Sequence, residues 1–304
     1  FSFLIDERVD MVLFKRTLSL FIVLLLSLTT ANAEIMQGGK TVPSFKQDAA
    51  SIRHTYETQL YTLSAFKAGH YGLRMYRQTM DPKYSAAVWS DMARVASRLN
   101  QFSSEVHTPE QIDIYSQKRL SSYVDDTDIR STLRYQATKN MPEYFYLGVD
   151  LLGSMARANE YGLKHRNDKQ LREIIRRYDF KKYATDEAMI KAWAAQLANQ
   201  VYWLRQLGEQ DVVDEFVEAF KLAYPDNKDA ALSKQQYGNK IYGLTHILLA
   251  DSQYYQYPLK ESDHQWIYDY LRNNIDTILE RAKEDIISEV GITFLLAGLE
   301  NDPV

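Results

Sequence analysis

Nowhere in this 304-residue chain do apolar and polar residues alternate for long between turn signals, the pattern a half-buried strand requires. Apolar residues recur at helical spacing instead, and only seven Pro and twelve Gly interrupt them. Helix starts are marked by chemistry. Asp81-Pro82 pairs a capping carboxylate with a first-turn Pro, whose missing N–H would have had no partner there. Thr108-Pro109-Glu110-Gln111 adds a Gln three residues after the cap, which makes a capping box. Thr185-Asp186-Glu187 places acids where the helix dipole favours them, and Ser262 stands ahead of Trp266, Ile267, Tyr270 and Leu271. Residues 45–80 read as two helices, or as one bent near Gly69 and Gly72. Pro225-Asp226-Asn227 and Tyr257-Pro258 read as turns. The expectation is an all-α chain of about ten to twelve helices of ordinary length.

The N-terminal residues have a different character. The first Met is Met11, so residues 1–10 read as an extension upstream of the natural start. From Met11 the chain has the form of a secretory signal: Lys15 and Arg16, an apolar run over 18–28, and the small-x-small site Ala31-Asn32-Ala33. Cleavage there makes Glu34 the mature N-terminus, with 34–43 a leader loop and 44–304 a single helical domain. The apolar run is shorter than the roughly 20 residues of a membrane span. A chain of this length buries a sizeable core without disulfides, and it has no cysteine. Export without cysteine points to a periplasmic protein. The net charge of −4 argues against a nucleic-acid partner, and no second apolar run predicts a stable span after signal removal.

Four segments overlay on a shared Gly: Y-G-L-R-M-Y-R from Tyr71, L-G-V-D-L-L-G from Leu147, Y-G-L-T-H-I-L-L-A from Tyr242 and V-G-I-T-F-L-L-A-G from Val290. Gly at such a point lets a neighbouring helix come close, and repeated helix pairs form a solenoid or close into a ring. In form the chain resembles the α/α toroids of secreted polysaccharide lyases and unsaturated-glucuronide hydrolases, without a catalytic signature matched residue by residue. Through Y-G-L-T-H-I-L-L-A-D-S-Q-Y-Y-Q and E-V-G-I-T-F-L-L-A-G-L-E it also resembles an uncharacterised family of exported bacterial proteins, a resemblance that brings no known activity.

The chain lacks G-x-S-x-G, H-E-x-x-H, a phosphate-binding loop and a dinucleotide fingerprint, and no cofactor is expected. Asp125-Asp126-Thr127-Asp128 lacks the Gly and distal Glu of a calcium loop and reads as a helix cap. His54 and Glu57 share a face but are too few for a metal, so no metal site is expected. The stretch 237–256 is the most informative. On a helix, Asn239, Tyr242, His246 and Gln253 fall near one line, and Ile241, Leu244 and Leu248 fall on another. That predicts a helix with one side on a core and the other on a polar cavity. Asn239, Tyr242 and His246 are the candidate catalytic residues, able to move a proton and steady the developing charge. Trp203, Arg74, Arg205 and His70 are the candidate ligand-binding residues. A simpler reading makes His246 a core histidine bonded to a neighbouring helix, and His264 an exposed one.

The 22 Tyr and four Trp offer sugars apolar faces and hydroxyl partners, but also fill wide gaps between helices. Two functions follow. One is a protein that binds or cleaves a glycan or similar polar polymer in an aromatic-lined cavity. The other is a non-enzymatic scaffold binding a protein partner. A polar pocket with His246 at its floor marks the first, and a buried His246 marks the second.

Overall fold

The computed structural model describes residues 45–124 and 128–304. The expected signal sequence, cleavage site and leader, and Asp125-Asp126-Thr127, lie outside the described residues. Among those described there is no strand, and fourteen α-helices make an all-α protein. The excess over the expected number comes from short pieces such as Lys181–Ala184 and Ile275–Arg281. No described helix is long and apolar enough to cross a membrane.

The described residues divide into two compact units, separated in the chain after Ser97. In the first, α1 (Phe45–Thr58), α2 (Ala65–Thr79) and the start of α3 (Ser85–Ser104) surround Leu60, Ala68, Tyr84 and Ala87. The break between α1 and α2 falls at a tight 3₁₀ turn, Leu60–Thr62, and not at the glycines. Gly69 and Gly72 lie within α2 because α3 crosses them: a Cβ on Gly69 would sit 2.2 Å from Asp91 Cβ, and one on Gly72 would sit 2.9 Å from Ala87 Cβ. Asp81 caps as expected, accepting from the Lys83 N–H.

In the second unit, Thr108 and Gln111 form the expected capping box of α4 (Pro109–Ser121). Asp128 caps α5 (Ile129–Thr138), accepting from the Ser131 N–H. A π-helical stretch, Phe145–Leu152, then runs into α6 (Gly153–Glu160). Within it Asp150 is buried and accepts from Arg98 at 2.6 Å, the Tyr115 hydroxyl at 2.9 Å and Arg119 at 3.0 Å. Next come α7 (Asp168–Arg176), α8 (Lys181–Ala184) and α9 (Glu187–Gln206), which Asp186 caps through the Met189 N–H. Then follow α10 (Val213–Ala223), α11 (Lys234–Asp251), α12 (Gln265–Asn273), α13 (Ile275–Arg281) and α14 (Glu284–Leu296). Ser262 lies in a 3₁₀ turn, Glu261–His264, one turn ahead of α12.

Helix α9 is the hub, with α5, α8, α10 and α11 packed on it, and α11 in turn carries α13 and α14. It kinks at Trp193, whose φ of −130° and ψ of 23° leave the helical region. A kink frees carbonyls that need new donors. The Lys191 carbonyl accepts from Asn239 Nδ2 at 3.1 Å, and the Ala192 carbonyl from Arg134 Nε at 3.4 Å. The Trp193 indole donates to Thr138 Oγ1 at 3.0 Å, beneath the Arg134 guanidinium.

Candidate functional site

The site is built where α9, α11 and α14 meet. The Ser233–Gln236 capping box starts α11, and Gly243 lets its neighbours approach. A Cβ on Gly243 would fall 2.5 Å from Phe220 Cε2 and 3.0 Å from Ala194 Cβ. This contact presses both long faces of α11 into the protein. Ile241, Leu244 and Leu248 are buried as expected, but so are Asn239, Thr245 and His246 on the other side. The expected open polar face is therefore closed: His246 is only 7 % exposed, and Tyr242 is half-buried.

His246 Nδ1 lies 3.2 Å from Asn199 Oδ1 on α9. The Tyr254 hydroxyl donates to that same oxygen at 2.8 Å. The same hydroxyl lies 3.3 Å from Nδ1; an arrangement with Oδ1 as the shared acceptor puts the ring proton on Nδ1 and the lone pair on Nε2. Nε2 is buried without a hydrogen-bond partner among the described residues. Glu289 Oε1 stands 3.7 Å from it, beyond hydrogen-bond reach. The other Glu289 oxygen accepts from Thr245 Oγ1 at 2.8 Å.

Burial shapes the electrostatics. It holds the His246 imidazole down to about 3 and pushes the Glu289 carboxyl up to about 7. The bond from Thr245 opposes the rise of Glu289, and the charge of Asp285, one turn earlier on α14, adds to it. Tyr242 meets His246 edge-on, with ring centroids 4.4 Å apart. Burial first, and then the charges of Glu289 and Asp285, push its hydroxyl up to about 12, against an opposing Arg130. Burial thus favours the neutral form of both groups, an imidazole without charge beside a carboxyl that holds its proton more tightly than usual. Glu289 keeps 20 % of its side chain exposed, so it faces solvent while His246 stands behind it.

Tyr254 reaches the cluster from a strained turn. Gln253, Tyr254 and Tyr255 have φ of 50°, 54° and 71°, a left-handed run without glycine. Such residues cost roughly 1–2 kcal/mol each in the left-handed helical region, and strain of this kind collects at functional sites.

The other sequence candidates are dispersed. Asn239 serves the kinked α9 and accepts from Gln235, so it does not join His246. Gln253 leaves the predicted line because α11 ends at Asp251. Trp203 is half-buried on α9, against Gly153. Arg205 is exposed and bound to Asp211 at 2.9 and 3.0 Å. His70 and Arg74 belong to the N-terminal unit, where Arg74 donates to the His70 carbonyl at 3.1 Å. His264, expected to be exposed, is 8 % exposed, with Nε2 2.8 Å from Asp251 Oδ2, because the 3₁₀ turn folds it onto the end of α11. Glu57 is taken by Arg53, Lys83 and Tyr84.

Sequence reasoning missed Glu289, Asp285, Asn199 and Tyr254. A signal existed for Glu289, the only charged residue in I-I-S-E-V-G-I-T-F-L-L. The Tyr254-Tyr255 pair stands out in the sequence as aromatic, but its approach to His246 depends on an unusual turn.

A family model described as a domain of unknown function, DUF3541, matches residues 45–304. The chain belongs to this family. No curated protein and no solved structure matches it. The DUF3541 match spans all the described helices, including α14 with Glu289, but carries no activity with it. Chemically, the cluster offers a carboxyl with a raised pKa, a second carboxylate one helical turn away, and the Tyr242 ring edge-on to His246.

Proposed function

We propose that this DUF3541 chain is an exported, periplasmic protein that binds or cleaves a glycan or similar polar polymer, with Glu289 as its proton-carrying group. One observation carries the reading: a partly exposed carboxyl that burial has pushed up to about 7, with a second carboxylate, Asp285, one turn away on the same helix. Two carboxyl groups in unlike surroundings are the general requirement of glycosidic-bond cleavage, one to protonate the leaving oxygen and one to assist on the other side. In this reading His246 is a positioning residue. Its neutral ring, held by Asn199 and Tyr254, keeps the Glu289 surroundings weakly polar without supplying a charge that would ionise the carboxyl. Tyr242 is the aromatic contact a sugar meets beside Glu289.

The test is release of reducing ends from alginate, chitin oligomers and peptidoglycan by the chain beginning at Glu34. Glu289→Gln should abolish any activity found while leaving the fold intact. Equal activity in that variant removes Glu289 from the chemistry. N-terminal sequencing of material from the periplasm should begin at Glu34, and a chain retained in membranes and beginning at Met11 reverses the export reading.

A second reading, a non-enzymatic scaffold for a protein partner, is favoured by the burial of His246 and by large apolar side chains left exposed in the N-terminal unit, Phe66 at 49 % and Trp89 at 66 %. It predicts no turnover on any glycan and no effect of Glu289→Gln on partner binding.

A further inference from the structure

The chain carries a net charge of −4, yet Lys164 through Lys182 holds eight Lys or Arg against three Asp or Glu. Helix α7 turns this excess outward. Leu171, Ile174 and Ile175 are buried at 0, 0 and 4 % exposure, which leaves Lys169, Arg172 and Arg176 on the other side. Together with Asp168 at the start of α7 and Lys164, His165 and Arg166 from the preceding loop, they line a wide-open depression of about 620 Å³.

Some of these cations are already engaged. Arg172 and Arg176 hold the buried Glu209 carboxylate at 2.7 to 2.9 Å, and Arg172 also binds Asp168 at 2.7 Å. Lys164 is 3.4 Å from Asp168. Arg166 and Lys169 are exposed and have no ion pair among the described residues. His165 is held neutral: its Nδ1 accepts from the Asn167 N–H at 3.1 Å and its Nε2 faces Asn100 Oδ1 at 2.9 Å. Glu209 and Asp168 thus fix the engaged arginines in place, while Arg166 and Lys169 stand over the depression with their charge uncompensated.

We propose that this basic depression is a docking groove for an acidic polysaccharide, with Arg166 and Lys169 as its main contacts to the carboxylates of successive sugars. The choice of polymer rests on the glycan reading above; the choice of surface does not. The lining favours a polysaccharide over other polyanions. No apolar side chain lines it for insertion into a membrane, since those of α7 point into the core. Its one ring, His165, is bonded at both nitrogens, and no Phe, Tyr or Trp among the lining residues continues it into the stacking run a single-stranded nucleic acid would need. Polar hydroxyls and spaced carboxylates suit a surface dominated by charged donors, where the one lining carboxylate, Asp168, is already bound by Arg172.

The decisive experiment measures binding of alginate oligomers to the chain beginning at Glu34, in wild-type form and as the double variant R166E/K169E, at two salt concentrations. Neutral dextran, phosphatidylglycerol vesicles and duplex DNA serve as comparisons. We expect alginate to bind in preference to all three, to weaken with salt, and to lose at least about tenfold in the double variant, whose melting temperature should match wild type because both side chains are exposed. Equal alginate affinity in the variant overturns the groove, as does tighter binding of vesicles or DNA than of alginate, or no alginate binding at all. If alginate binds through the groove but no glycan is cleaved, the catalytic reading falls and the groove stands.

Discussion

His246 and Glu289 show how one environment moves two residues in opposite directions. Both lose water, so each is driven to its neutral form, the imidazole by a lowered pKa and the carboxyl by a raised one. His246 is packed between α9 and α11 and holds the proton of its Nδ1 on Asn199. Replacing it with Ala therefore leaves a void and removes one of the two donors to Asn199 Oδ1, the Tyr254 hydroxyl remaining. The expected cost is about 2–4 kcal/mol. A thermal melt of His246→Ala should show a loss of about 5 °C or more. A variant melting with the wild type would mean that the ring faces open space and acts directly on a ligand. Glu289→Gln keeps shape and hydrogen bonding to Thr245, so at pH 5, where the native carboxyl is protonated, it should melt within a degree or two of wild type.

At the level of the helix, the glycines decide how closely elements pack. Gly243 sits under Phe220, a ring 1 % exposed that has nowhere to move. Gly243→Ala gains about 1 kcal/mol of helix propensity but overpacks by about 1–3 kcal/mol, so net destabilisation is expected in a denaturant melt. Gly291 is the contrasting case, because a Cβ there meets nothing within 4 Å. Gly291→Ala should raise stability by about 0.5–1 kcal/mol. If both variants shift the midpoint the same way, close approach is not what Gly243 provides. Three of the four glycines that align in the sequence, Gly72, Gly148 and Gly243, do sit at tight contacts, and the fourth does not. They lie inside helices, with Gly148 in the π-helical stretch against Tyr144 and Gln200.

For the molecule as a whole, buried His246 and partly buried Glu289 give opposed pH dependences. The His246 pKa falls from 6.5 unfolded to about 3 folded, so its contribution is present above pH 6.5 and is lost as pH falls toward 3. The Glu289 pKa rises from 4.5 to about 7, so its contribution is present below pH 4.5 and is lost as pH rises through 7. Between about 4.5 and 6.5 the two slopes cancel. In Glu289→Gln only the His246 slope remains. Relative to wild type, the variant should gain stability with rising pH from about 4.5 to 7, at up to about 1.4 kcal/mol per pH unit. Chemical denaturation at half-unit pH steps measures that difference. A flat difference across the window would show that Glu289 titrates as an exposed carboxylate and would remove the basis for its acid role.

The sequence by itself determined the helical class, because period and caps are local: Asp81, Thr108 with Gln111, and Asp186 each bond to backbone within three residues. It also pointed to His246, since Asn, Tyr and His on one helical line are rare on a solvated face. Only the tertiary structure decided what surrounds that histidine. Asn199 is 47 residues away in the chain and Glu289 is on another helix, so no local pattern brings them to the ring. Asn239 and His246 are close to one line in the sequence, yet the kink at Trp193 claims the first for a freed carbonyl. The pKa values of His246 and Glu289 are likewise products of burial, which depends on how tightly α9, α11 and α14 close around Gly243. Such closure is a property of packing, and no residue's identity states it alone.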